Sequence, residues 1–322
     1  MIKKLDVHTH LGDILYGKNI IYKQHQELKE TYYEKMLQER ENHFLRKDFY
    51  YPGSEFDLEQ WKKENQLPES MVGIEEAVGI EEAFTARNFS ASLKEMQKSM
   101  KKNEIDYCAV MPVMPQVGFE DLKAASLTDK RVIPFTSIDF SFGAELGEKL
   151  LEDVKNGAKG LKIHPVIQNI RLDDERVLEA LEKWEKTGLP VLPHIGVAEY
   201  FPPDKAFMDT PQNGEIKPFL KVAKMFPNVN FIAGHGGNES WKKLLQICVD
   251  DKNVYMDTSM ATPESIQAFR KEWGAERMLF ASDWPWLRQE VAVELIEQEI
   301  DSSKEKEKIY FENAYKLLKL DF

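Results

Sequence analysis

Short runs of β-branched and apolar residues alternate along the chain with stretches whose apolar residues recur three and four apart. Eight runs read as strands: Lys4–Thr9, Asp106–Pro112, Val132–Ile138, Gly160–His164, Pro190–His194, Val229–His235, Asn253–Thr258 and Met278–Asp283. Leu146, Leu150, Leu151 and Val154 make a helical face before the fourth. Val177, Leu178, Leu181 and Trp184 make another before the fifth, and Lys186-Thr187-Gly188 stops that helix with a glycine. Trp241, Leu244, Leu245 and Val249 precede the seventh run, and Ile266, Phe269 and Trp273 the eighth. Strands alternating with helices predict parallel βαβ units, the α/β class. Eight of them favour a closed (β/α)8 TIM barrel over an open doubly wound sheet.

One connection breaks the rhythm. Roughly ninety residues separate the first two strands, where a βα loop usually takes about 2–6. Helical stripes recur within it, Leu28, Tyr32, Met36 and Leu37 in one and Leu93, Met96 and Met100 in another. Between them lies an aromatic, turn-broken patch, Phe49-Tyr50-Tyr51-Pro52-Gly53 with Trp61. The expectation is a single barrel over 1–322, with a helical insertion at 12–104 capping its catalytic rim. Val72-Gly73-Ile74-Glu75-Glu76-Ala77 is repeated at once as Val78-Gly79-Ile80-Glu81-Glu82-Ala83. Two copies are too few for a repeat architecture, so this reads as a local duplication.

Composition narrows the function classes. Of 322 residues 42% are hydrophobic, enough for a sizeable core, and 43 basic against 55 acidic residues give a net charge of −12. That balance argues against a nucleic-acid or anionic-membrane binder, which needs clustered lysine and arginine, but allows a locally positive pocket for a small anion. No apolar stretch approaches a membrane span, and Asp6 and His8 leave no room for an apolar signal core after Lys3 and Lys4. Cys108 and Cys248 are too few and too far apart for a disulfide framework and read as buried thiols. The expected location is the cytoplasm.

Five of the seven histidines, His8, His10, His164, His194 and His235, fall where a predicted strand gives way to a loop. Asp283 ends the last strand the same way. Barrel enzymes assemble their active sites at these carboxyl ends. A strand's side chains alternate with a period of two, so His8 and His10 share a face, as do Lys162 and His164. Paired imidazoles aimed into a barrel mouth suit a divalent metal. His25 and His43 sit among polar cap residues and read as surface positions.

The run Leu5-Asp6-Val7-His8-Thr9-His10 resembles the first-strand motif of the amidohydrolase superfamily. The resemblance continues through Gly160-Leu161-Lys162-Ile163-His164-Pro165, Pro193-His194-Ile195-Gly196, Gly234-His235-Gly236-Gly237 and Ala281-Ser282-Asp283-Trp284-Pro285. Together these are similar to the amidohydrolase-related branch that also contains aminocarboxymuconate-semialdehyde decarboxylase. The resemblance implies one divalent metal, zinc before manganese, on His8, His10, His194 and Asp283. Asp283 would also take a proton from the attacking water, and His235 would polarise the reacting group. A binuclear site bridged by carboxylated Lys162 is the minority alternative.

The substrate contacts expected are Lys162, His164, Arg46 and Trp284. The leading expectation is hydrolysis of an amide, ester or lactone in a small carboxylated molecule. The alternative is a metal-dependent non-oxidative decarboxylase, a lyase, which requires a cap cation from among Arg46, Lys47 and Arg87 to grip a second carboxylate. A homodimer is an assembly the resemblance allows.

Overall fold

The computed structural model describes residues 2–23, 32–43, 45, 83–201 and 203–322. Among the described residues nine strand pieces run in chain order: β1 (Leu5–Thr9), β2 (Tyr107–Val110), β3 (Val132–Pro134), β4 (Thr136–Ser137), β5 (Leu161–Ile163), β6 (Val191–Pro193), β7 (Phe231–Ala233), β8 (Val254–Asp257) and β9 (Met278–Leu279). Each pairs in parallel with its neighbour, β1 to β3 in one ladder and β4 to β9 in another. The break falls at Phe135. Its amide donates to Val110 O at 3.1 Å, while that of Thr136 donates to Gly160 O at 2.9 Å. β3 and β4 are therefore one strand that hands its hydrogen bonds from one neighbour to the next, which leaves eight.

The last strand returns to the first. Val7 N donates to Phe280 O at 3.0 Å, Asp283 N to His8 O at 2.8 Å and His10 N to Trp284 O at 2.6 Å. Thr9 and Trp284 form a parallel bridge. The barrel is closed, as the alternation predicts.

Two buried layers hold it. Leu5, Val7, Phe135, Leu192, Ile232 and Leu279 pack in one cluster with Leu317, Leu318 and Leu320. Strand residues thus fill the interior, and the carboxyl-terminal segment plugs the end where the strands begin. The larger cluster lies between strands and helices, and the helical faces expected from sequence supply it. Leu146 and Leu150 come from helix Leu146–Lys155, Val177, Leu181 and Trp184 from Glu175–Trp184, and Ile266, Phe269 and Trp273 from Pro263–Trp273. Gly188 ends its helix at φ 60°, a left-handed conformation that costs a glycine little.

Within the long connection, the described residues form helix Tyr32–His43, a helical stretch at 83–90 and helix Leu93–Lys102. Leu93, Met96 and Met100 enter the main core, as do Leu11, Ile14, Leu15, Ile20 and Ile21. Leu37 of the first predicted stripe is buried. The aromatic patch at 49–61, the duplicated segment up to its final Ala83, His25, Arg46 and Lys47 lie outside the described residues. Both cysteines are buried. Among the described residues no helix is long and apolar enough to cross a membrane.

Candidate active site

β1 aims the first two histidines through an irregularity. Asp6 pairs with Cys108 and Thr9 with Val110, so three steps on β1 match two on β2. An extra residue of this kind reverses the alternation of side chains. Asp6 accordingly faces the helix layer, while His8, two residues on, faces the barrel axis. Asp6 accepts from Ser282 N at 3.0 Å, Ser282 Oγ at 2.5 Å and Gln289 Nε2 at 2.9 Å. Ser282 Oγ accepts in turn from Trp284 N at 3.0 Å. This buried carboxylate thus fixes the turn that carries Asp283, whose φ of 63° is unusual for a non-glycine residue.

At the barrel mouth the predicted residues converge. His8 Nδ1 donates to Asp257 Oδ2 at 2.9 Å, so its Nε2 lone pair faces inward, 2.8 Å from Lys162 Nζ. His10 Nδ1 donates to Met111 O at 3.3 Å. Its Nε2 then lies 3.3 Å from Asp283 Oδ1, and His8 Nε2 lies 3.5 Å from the same oxygen. That oxygen is buried and accepts no hydrogen bond. Buried carboxylate oxygens are rarely left so.

His194 and His235 complete the group. His194 Nε2 donates to Gly196 O at 3.2 Å, which leaves Nδ1 bare. Ser259 Oγ donates to Asp257 Oδ1 at 2.6 Å, so it accepts from His235 Nδ1 at 2.9 Å and leaves His235 Nε2 bare. The two bare nitrogens face each other at 2.9 Å. Facing lone pairs this close require a shared proton or a cation. Donor atoms of His8, His235 and Asp283 also lie within 4.8 Å of one another. Imidazole nitrogens and an orphaned carboxylate oxygen fit a divalent ion.

The electrostatics agree with that fit. Burial, reinforced by the Lys162 charge, holds His8 and His10 well below the ordinary imidazole range and brings His194 to about 3. Burial and the neighbouring His194 do the same for His164 and His235. All five rings stay neutral, the form that binds metal. Burial pushes the Asp257 and Asp283 carboxyls up, against the pull of Lys162.

Above this floor opens a cavity of about 200 Å³. His10, His164, His194, His235 and Asp283 form its base, and Ile14, Leu15, Phe84, Tyr200, Met260 and Trp286 form its walls. Phe84 and Tyr200 lie 5.9 and 6.3 Å from the Trp286 ring, centroid to centroid. His164 stacks on His194 at 4.2 Å. Lys162 sits against His8 and is no part of the lining. Trp286 lines the cavity where Trp284 was expected; Trp284 instead contributes its backbone to barrel closure. Arg46 is outside the described residues.

Arg87, the cap cation named with it, is committed elsewhere, to Glu34, Glu41 and Trp286 O. Among the described residues no lysine or arginine lines the cavity. Sequence reasoning missed Asp257, Ser259 and Tyr200. Asp257 closes β8 at the same kind of strand end as His235 and Asp283, a signal that was there to be used.

No curated protein matches the chain by sequence. By fold it resembles an uncharacterized TIM-barrel protein of Bordetella bronchiseptica (TM-score 0.64, 17% identity, 99% of each chain). It also resembles 5-carboxyvanillate decarboxylase of Sphingomonas paucimobilis (TM-score 0.63, 13% identity, 100% of each chain). A third is a dihydroxybenzoic acid decarboxylase of a Polaromonas species, solved with bound manganese and the inhibitor 2-nitroresorcinol (TM-score 0.62, 16% identity, 99% of this chain and 97% of that one). Likeness at such identity establishes the barrel alone. The Amidohydrolase family model, however, matches residues 120–320, well over half the chain and the stretch that carries Lys162, His164, His194, His235, Asp257 and Asp283, and the chain belongs to that family.

Proposed function

We propose that the protein is a divalent-metal-dependent enzyme that removes carbon dioxide from a small, planar carboxylic acid. The observation that carries this reading is the cavity itself: largely aromatic and apolar walls, with Thr85, Glu199 and Asn238 among them, over a buried floor of histidines and Asp283. A flat ring can lie in the cavity against Phe84, Tyr200 and Trp286, and about 150 Å³ of apolar space suffices for benzene. Two of the solved folds that the chain resembles are named as decarboxylases of carboxyvanillate and dihydroxybenzoic acid. They support decarboxylation over the hydrolysis that the sequence motifs put first.

His8, His10, His194 and Asp283 would hold the ion, with zinc and manganese both compatible with these donors. When bound, it supplies a Lewis-acid pole that stabilises negative charge developing on the substrate. The chain's own residues do the rest. The aromatic walls orient the ring and exclude water. As the bond from ring carbon to carboxylate breaks and carbon dioxide leaves, the carbon needs a proton. Asp283, on the floor of the cavity, would relay one taken from solvent. His235, whose Nδ1 is held by Ser259, turns its bare Nε2 to the same space and would accept from a hydroxyl of the substrate.

Hydrolysis is the second reading, favoured by the orphaned Asp283 oxygen, which in its ionised form accepts a proton from an attacking water. One experiment separates the two. Metal-loaded protein is incubated with a panel of hydroxylated benzoic acids in parallel with lactones and amides. Stoichiometric carbon dioxide with solvent deuterium incorporated at the vacated ring carbon is the expected result. Turnover of lactones or amides alone, with water consumed and no gas released, would replace decarboxylation by hydrolysis.

A further inference from the structure

Arg87 is an arginine in the long connection, yet it is almost wholly buried, at 2% exposure. Its fork is occupied on every side. Nε and Nη2 donate to the two oxygens of Glu34 at 2.9 and 2.7 Å, and Nη1 donates to Glu41 and, at 2.8 Å, to Trp286 O. Glu34 and Glu41 lie two turns apart on helix Tyr32–His43. Glu41 is shared with Arg288, which also donates to Gln38 O at 3.1 Å and Asn42 Oδ1 at 2.8 Å on that helix. Two carboxylates and two guanidiniums thus tie the inserted helix to the turn after β9, and Trp286 of that turn is a cavity wall.

The same helical stretch, 83–90, has a second function. Phe84 and Thr85 line the cavity. Asn88, next to Arg87, accepts from Ile14 N at 3.1 Å and donates to Asp13 Oδ1 at 2.6 Å, which anchors the loop bearing Ile14 and Leu15. Three walls therefore meet at one short helix.

We propose that Arg87 is a positioning residue that sets the width of the cavity, by locking helix Tyr32–His43 against the carbonyl of Trp286 and holding the Phe84 and Trp286 rings at their separation. It touches no substrate. An ordinary surface ion pair would not do this, because exposed pairs contribute little. Removing Arg87 takes away the bidentate partner of the buried Glu34 carboxylate, which is costly. The inference takes the cavity as the substrate's place, as the proposed function does, but its first readout is independent of that reading.

The test is hydrogen–deuterium exchange on the full chain carrying Arg87→Met, with Arg87→Lys and Glu34→Gln as milder variants should the first fail to fold. About a tenfold faster exchange is expected across 32–43 and 284–288 together, with β5 to β8 unchanged. A uniform loosening of the barrel, or faster exchange at 32–43 with 284–288 still protected, would overturn the proposal. The second readout is binding of 3-nitrobenzoate. About tenfold weaker binding in each variant, with metal content preserved, is the expected outcome. Binding unchanged from the unmodified protein would overturn the link to the cavity. If the unmodified protein itself ignores 3-nitrobenzoate while the exchange pattern is as expected, the proposed substrate class fails and the role of Arg87 stands.

Discussion

Asp6 shows how much of this site depends on a single residue placed out of reach of substrate. Asp6 is fully buried, and that burial raises its carboxyl to about 6 although Ser282 and Gln289 bond to it. A carboxyl raised in the folded state contributes stability that is present below the ordinary value of 3.8 and lost as pH rises through about 6. We therefore expect unmodified protein to lose stability relative to Asp6→Asn over that window, by on the order of 3 kcal/mol. Urea unfolding of both proteins between pH 4 and 7 measures it, and a constant difference would show that Asp6 keeps an ordinary pKa. His194 and His235 face each other too closely for geometry to divide their roles. We expect His194→Ala to lose bound metal, whereas His235→Ala keeps it and loses turnover. Elemental analysis decides, and equal loss in both would make His235 a ligand as well. The histidines and Asp283 were legible because five imidazoles at strand ends are improbable by chance. Ser259 and Tyr200 were not, since each is a common residue whose importance appears only when the strand ends are brought together; Asp257 carried the strand-end signal without a histidine's rarity to mark it.

At the scale of elements, β1 gives the clearest lesson. The period-two rule correctly places His8 and His10 on one face, but it also puts Asp6 there, and the shifted pairing with β2 sends Asp6 to the opposite side. Such an irregularity leaves no mark in the hydrophobic pattern. The β3–β4 break is similar, a change of partner at Phe135 inside what reads as one run. Phe135 also explains an adjacent glycine. A Cβ at Gly160 would sit 2.2 Å from the buried Phe135 ring. Gly160→Ala should therefore cost about 1–3 kcal/mol through overpacking. A denaturation midpoint within error of the unmodified protein would show that the interior gives way more easily than its packing suggests. Helices with one clean apolar face were predicted well. The helix Tyr32–His43 was seen only as a stripe, because its attachment rests on Glu34 and Glu41, charged residues that pattern reading assigns to solvent.

For the whole molecule, eight strands and their order could be read from the chain, and the choice of a closed barrel followed from their number and from the chemistry at their ends. The contacts that close it, between Val7 and Phe280 and between Thr9 and Trp284, join residues more than 270 positions apart and no local pattern announces them. Closure is what brings Asp283 within 3.5 Å of both His8 and His10. The site is thus a property of the fold rather than of any segment. An ion held there binds only the folded state, so saturation at about a hundred times its Kd should add about 2.7 kcal/mol to stability. A thermal transition insensitive to zinc and manganese would contradict that linkage.

The most direct measurement is the metal content of the protein after equilibration with zinc or manganese and removal of free ion. We expect about one equivalent per chain, lost in His8→Ala and in Asp283→Ala while both variants keep the barrel's circular dichroism. Unmodified protein that retains no metal, or variants that retain as much as it does, would contradict the account.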